Sequence, residues 1–222
     1  MTQTEHLNKL QVTKNSFECS VTTDIAVFGY LDGELKIMLC KRQVGTSRKN
    51  WLLPGGALKK DETLEGSAIK VLNILTGIKD VYFEQVKVYS KLDRHPIKRV
   101  LTVCFYALVN PEKHPLVLGE TVEGIKWFAI DQLPSSIGFD HRELIMDSIL
   151  YLRNNIKTQL MAEELLPSKF TLQELQIVYE NILGSKLDRR NFRKRMLQLD
   201  IFENTGQKKL GIKGGPYFYS LK

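Results

Sequence analysis

The sequence predicts an α+β chain: an α/β/α sandwich over residues 1–157, followed by a smaller domain of two helices and a hairpin over residues 158–222. Three observations predict it. Alternating apolar runs recur through the first two thirds, bounded by turn residues, as half-buried strands require. A helical pattern follows directly on a proline–glycine–glycine loop. The charge is also segregated: from Ser168 to Lys222, eleven Lys and Arg stand against five acids, a net of +6, so the first 167 residues hold only +1 of the total +7.

The elements follow in order. Residues 22–41 read as a hairpin, TTDIAVFGY and ELKIMLCKR joined by an Asp32-Gly33 turn. A glycine-rich loop at 54–56 leads into a helix over 64–76 that Gly77 ends. Strand-like runs follow at FEQVKVYS (83–90), RVLTVCFYALV (99–109) and EGIKWFAI (123–130). A helix begins after Asp140, with Glu143 in capping-box spacing, and runs to about Ile156. The domain boundary falls within 157–167, where a proline and a change of charge coincide.

Beyond it, Thr171 and Glu174 form a second capping box, and Leu172, Leu175, Val178, Tyr179 and Ile182 make an apolar stripe at helical spacing that Gly184 ends. Asp188 caps the next helix, Leu187 and Phe192 are placed as its hydrophobic staple, and Phe192, Met196 and Leu199 form its buried face. Arg189, Arg190, Arg193 and Lys194 fall on its other faces. A basic, glycine-rich hairpin ends in the strand PYFYSL. Helix, turn, basic helix and basic hairpin make the pattern of a winged helix-turn-helix. A compact basic segment of this kind is the footprint of a polyanion-binding module.

With 43% hydrophobic and 26% charged residues, the composition is that of an ordinary globular protein. No apolar run approaches a membrane span and the start MTQTEHLNKL lacks a signal-peptide core, so a cytoplasmic location and no membrane partner are expected. Cys19, Cys40 and Cys104 form no C-x-x-C pair and read as reduced packing residues.

The stretch PGGALKKDETLEGSAIKVLNILTGI (54–78) resembles the Nudix box, G-x5-E-x7-R-E-U-x-E-E-x-G-U with U a bulky apolar residue. Gly56, Glu62, Leu72, Gly77 and Ile78 fall on that frame without insertion, but R-E-U-x-E-E reads Lys70-Val71-Leu72-Asn73-Ile74-Leu75. Positions 71, 74 and 75 share one helical face and would carry the family's Mg²⁺-binding glutamates. Val71, Ile74 and Leu75 cannot ligate a cation, and Glu62 alone cannot hold one. The expectation is therefore no catalytic residue, no metal and no cofactor; the substituted face is expected to form an apolar floor or simply to pack.

A degenerate box followed by a basic winged helix resembles the Nudix-related transcriptional regulator family. TDIAVFGY, WLLPGG, YSKLDRHPIKRVLTVCFYALV, KWFAIDQLP, GFDHREL and FTLQELQIVYENILGSKLDRRNFRKRML carry the resemblance from about Val21 to Leu221. It implies a ligand-responsive repressor whose N-terminal domain senses a small molecule and whose winged helices grip a palindromic operator as a homodimer. It also implies that Arg189, Arg190, Asn191, Arg193 and Lys194 belong to the DNA-reading helix, with Thr205, Lys208, Lys209, Lys213, Gly214 and Gly215 in or beside the wing. Candidate effector residues near the cleft or its rim are Asp24, Lys41, Arg42, Trp51, Glu62, Asp93, Arg99 and His141.

A diphosphate wants metal or several cations, neither of which the substituted face supplies. The arabinose-responsive branch has similarly lost the box, so the favoured effector is a neutral sugar, L-arabinose. Alternatives are an ADP-ribose-responsive regulator of NAD metabolism, a divergent Nudix pyrophosphohydrolase, and an RNA- or protein-binding module. The last is disfavoured because Phe192 falls on the core face and Tyr217, Phe218 and Tyr219 fall in the closing strand, leaving no obvious stacking surface.

Overall fold

The computed structural model describes residues 19–43, 45, 50–157, 161–209 and 215–222. Within them, β1 (Ser20–Leu31) and β2 (Glu34–Arg42) form the expected hairpin about Asp32 and Gly33, both at positive φ. β3 (Trp51–Leu52), β4 (Gly55–Ala57), β5 (Tyr82–Tyr89), β6 (Val100–Val109) and β7 (Val122–Ala129) complete a mixed sheet of path β3-β2-β1-β6-β5, with β4 paired to β1 and β7 to β2. β1 and β6 are parallel; the other pairings are antiparallel.

Because β1 is central, Ile25–Phe28 are buried on both faces, and strand alternation sorts them into two cores. Ala26 and Phe28 share a cluster with Leu144, Ile145, Ile149 and Leu152 of α2 (His141–Asn155). Ile25 and Val27 pack with Ala68 and Leu72 of α1 (Leu64–Thr76). Helix, sheet and helix make three layers, and the same parity sets Asp24, two residues before Ala26, on the α2 face.

α1 has the predicted limits. Thr63 accepts from the Gly66 N–H at 3.0 Å, and Gly77, at φ 75°, returns its N–H to the Asn73 carbonyl. The expected capping box on α2 is not formed. The Asp140 side chain makes no cap bond because its carboxylate receives two bonds from Arg94, at 3.0 and 2.9 Å, while Glu143 takes Lys91. A charge-assisted bidentate pair offers more than one terminal amide.

After a 3₁₀ turn at Ala162–Leu165, β8 (Phe170–Thr171), α3 (Leu172–Leu183), α4 (Arg189–Gln198), β9 (Phe202–Lys208) and β10 (Tyr217–Leu221) build a winged helix whose small sheet runs β8-β10-β9. The Thr171–Glu174 capping box is complete. Asp188 caps α4 through the Asn191 N–H. Phe192 and Met196 are buried as expected, but Leu199 is exposed: it follows the last turn of α4, past the face that packs.

The two parts share one apolar cluster, running from the sheet through Met161, Ala162, Leu165 and Leu166 to Leu175, Ile182 and Phe192. Polar ties cross the same region. Arg153 Nε donates to the Ile182 carbonyl at 2.7 Å, and the Tyr106 hydroxyl lies 3.3 Å from Met161 Sδ. Cys40 and Cys104 are free and buried, which pushes both thiols up to about 12, as inert packing residues require. No helix among the described residues is long and apolar enough to cross a membrane.

Candidate functional site

A cleft of about 260 Å³ opens between the 52–57 loop, the 94–100 segment and the start of α2. Asp24 lies at its base. Its Oδ2 accepts from the Thr102 hydroxyl at 2.7 Å and lies 3.8 Å from Arg94 Nη2. A Cβ on Gly55 would fall 2.0 Å from Asp24 Oδ1, so only glycine lets this loop close over the carboxylate. Arg94 is itself buried between Asp24 and Asp140, which balances a charge that would otherwise be expensive to desolvate.

His141 completes the base. Its Nδ1 accepts the Leu53 N–H at 2.9 Å, which leaves the proton of the neutral ring on Nε2, 3.7 Å from Asp24 Oδ1. Burial lowers its pKa, although Asp24 and Asp140 pull the other way. On the rim, Arg42 donates to the Gly55 carbonyl at 3.0 Å, and the Lys98 ammonium has no partner among the described residues. Phe139, at φ 54°, stacks on His95.

The structure thus brings Asp24, Arg42 and His141 together and places the other candidates elsewhere. The Trp51 ring packs edge-on against Phe128 at 5.0 Å, with Lys41 over it at 5.1 Å. Asp93 is exposed outside the cleft, and Arg99 donates to the Lys91 carbonyl. Glu62 is engaged by Lys70 Nζ at 2.7 Å and the Lys59 N–H, which hold its carboxyl below the usual range. Sequence reasoning missed Arg94, His95, Lys98 and Phe139. They lie in DRHPIKR (93–99) and GFDHREL (138–144), and only tertiary pairing makes them one wall.

The box face does not form a single apolar floor. Leu75 is 3% exposed and packs with Cys40 and Val122, Val71 lies beneath Gly56, and Ile74 is 57% exposed. A magnesium ion needs several hard oxygens in near-octahedral array. The side chains at 71, 74 and 75 offer none, and Glu62 is already neutralised by Lys70, so these residues do not fit the ion.

The second candidate surface is the winged helix. Arg189, Arg190, Asn191, Arg193 and Lys194 are all exposed on α4, and the four cations have no acidic partner among the described residues. Arg195 instead turns back to the Lys157 carbonyl. In the wing, Lys208 lies over the exposed Tyr217 ring at 4.9 Å. Thr205 is used internally, its hydroxyl donating to the Phe218 carbonyl, and Gly215 is buried. Lys209 is tied to Glu174 Oε1 at 2.8 Å. Lys213 and Gly214 lie outside the described residues.

Residues 22–147 match the NUDIX domain and residues 162–221 the NrtR DNA-binding winged helix domain. The chain is 33% identical to the ADPR responsive transcriptional repressor NtrR of Acinetobacter baylyi over 202 residues, covering 90% of this chain and 80% of that one. It is also similar to the Shewanella oneidensis NrtR solved in complex with a 27mer DNA: 30% identity, TM-score 0.79, covering 91% of this chain and 93% of that one. The NUDIX domain of the same protein, solved with ADP ribose, is 28% identical with a TM-score of 0.56, over 68% of this chain and 99% of that one. These relatives favour the ADP-ribose alternative over L-arabinose. The case against a diphosphate concerns the box helix alone, whereas the cleft draws its cations from strand β2 and the 94–98 loop.

Proposed function

The chain belongs to the family that joins a NUDIX domain to an NrtR DNA-binding winged helix domain, and on that footing we propose that it is an ADP-ribose-responsive transcriptional repressor. The observation that carries this reading is the pairing of a cationic cleft with a basic helix whose cations have no acidic partners among the described residues. In the cleft, Arg42 and Lys98 present positive charge above Asp24 and His141, suited to a diphosphate without a bound metal. In α4, Arg189, Arg190, Arg193 and Lys194 are exposed.

Residues 1–157 form the effector domain and 158–222 the DNA-binding domain. Asp24, Arg42 and His141 contact the effector; Arg94, His95, Lys98 and Phe139 join them. Arg189, Arg190, Asn191, Arg193 and Lys194 enter the major groove, and Lys208 reaches a phosphate beside it. A winged helix covers one half-site, so two copies are needed on a palindromic operator, and the homodimer acts in the cytoplasm. The protein holds ADP-ribose without cleaving it, because the box lacks the ligands for the metal that would activate water.

Ligand and DNA are coupled through α2. His141 at its first turn lies in the cleft, and Arg153 in its last turn holds α3 of the winged helix. A ligand that prefers one setting of this helix shifts operator affinity, and DNA shifts ligand affinity by the same factor. The test is fluorescence anisotropy on an operator selected from a random-sequence DNA pool, titrated with and without ADP-ribose or L-arabinose. ADP-ribose is expected to change the affinity by roughly 5- to 150-fold, the usual range of such coupling, with no response to the pentose. An operator affinity that ADP-ribose leaves unaltered would refute the proposal.

A further inference from the structure

The 94–98 loop and the start of α2 meet at a feature that neither charge nor the box explains. Phe139 is a bulky residue at φ 54°, a left-handed conformation that such side chains rarely adopt. Its neighbours hold it there. The Gly138 N–H is bonded to the Trp51 carbonyl at 3.0 Å, and the Asp140 carboxylate is gripped by Arg94. The conformation sets the ring on the cleft wall, where it remains 36% exposed.

Behind it, the His95 ring lies 5.2 Å away at an interplanar angle of 20°, and His141 lies 5.6 Å away at 45°. His95 is oriented in turn: its Nδ1 faces the Ile97 and Lys98 amides at 3.3 and 3.4 Å. An aromatic pair held by its neighbours on the cleft wall, partly exposed and with cations beside it, has the makings of a stacking platform.

Resting on the effector reading above, we infer that Phe139, backed by His95, is the shelf on which the nucleobase of the effector stacks, so that the cleft selects nucleoside diphosphate sugars over base-free sugar phosphates. Lys98 and Arg42 lie on the same rim for the phosphates. Every base has a π-face, so the shelf requires a base without specifying which base by hydrogen bonding.

The experiment is calorimetric titration of the full chain with ADP-ribose and with ribose 5-phosphate, for the wild type and for Phe139→Leu, Phe139→Trp and His95→Ala. Binding of 1,N6-etheno-ADP-ribose is followed in parallel by emission. Phe139→Leu is expected to weaken ADP-ribose by roughly 5- to 150-fold, as the loss of one base–aromatic stack does, with ribose 5-phosphate unchanged. Phe139→Trp is expected to restore the preference, and quenching of the etheno base to vanish in the leucine variant alone. His95→Ala should weaken ADP-ribose in the same selective way. If Phe139→Leu loses both ligands equally, or neither, the residue is only part of the fold and the shelf is refuted. Wild-type protein that fails to bind ADP-ribose at all would instead bring down the effector reading on which the shelf rests.

Discussion

Arg153 and Ile182 join the two halves of the protein: the guanidinium Nε in the last turn of α2 donates to a carbonyl in the last turn of α3 at 2.7 Å. The acceptor belongs to a helix end, where carbonyls lack intrahelical partners and carry the negative end of the dipole. This bond adds a polar tie to the apolar cluster that already joins the winged helix to the helix beginning at the cleft.

Replacing Arg153 by Met keeps most of the aliphatic packing and removes the bond. Hydrogen bonds to charged groups contribute about 1.5–3 kcal/mol, so the helix pair should lose part of its registration while each domain stays folded. The expected outcome is an operator affinity that responds less to ADP-ribose. Anisotropy titrations with and without ligand measure it; a full response in the variant would place the coupling elsewhere.

The box helix yields a contrast between adjacent residues. Leu75 is buried against Cys40 and Val122, whereas Ile74 is largely exposed. Ile74→Glu should shift stability by no more than about 0.5 kcal/mol, as surface changes do. Leu75→Glu puts an unpaired carboxylate into a packed cluster and should lower stability by more than about 3 kcal/mol. Denaturant unfolding of the two variants decides this. It also means that restoring the glutamates cannot by itself restore hydrolysis, because the fold has filled part of the metal face. The unmodified protein with ADP-ribose and Mg²⁺ should release no AMP above background.

His141 makes stability depend on pH. Its folded pKa lies below the ordinary value of 6.5 because the ring is buried and its Nδ1 receives the Leu53 N–H. Folding then favours the neutral ring, and the unfolded chain binds more protons between the folded pKa and about 6.5. Stability should be fully present above that window and fall as the pH drops through it. Thermal midpoints at pH 7.5 and 5.5 should differ more in the wild type than in His141→Asn. Because burial lowers His95 in the same direction, ring-proton titration by NMR is needed to separate the two.

What the sequence disclosed, and what it hid, follows from the range of the interactions. The ends of α1, α3 and α4 were legible because their determinants are local: Thr63, Gly77, Thr171 with Glu174, Gly184 and Asp188 act within a few residues. The cap on α2 was misread for the converse reason. Asp140 had a local role open to it and took a partner 46 residues away instead. The cleft suffered in the same way. Asp24, Arg42 and His141 were identifiable as polar residues beside apolar strands, but the aperiodic 91–98 loop carries no signal for which of its charges turns inward. Arg94 does, and Asp93 does not.

The winged helix provides the last contrast, between two adjacent lysines. Lys208 projects over the exposed Tyr217 ring, with no carboxylate partner among the described residues. Lys209 is paired with Glu174, whose other oxygen closes the capping box of α3; burial pushes this carboxyl up, but Lys209 and Thr171 outweigh it and hold it low. Lys208→Ala should therefore weaken binding to all sequences alike and reduce the salt slope by about 1, as the loss of one phosphate contact does. Lys209→Ala should leave the salt slope nearer its original value and act instead on the stability of the domain. Arg190→Ala should differ from both: if this side chain reads a base edge, about 1–3 kcal/mol is lost and selectivity relaxes at one operator position. Binding to the selected operator and to single-base variants of it, across a series of salt concentrations, separates the three effects. If Lys209→Ala flattens the slope as much as Lys208→Ala, its pairing with Glu174 does not persist on DNA, and both lysines belong to the phosphate contact.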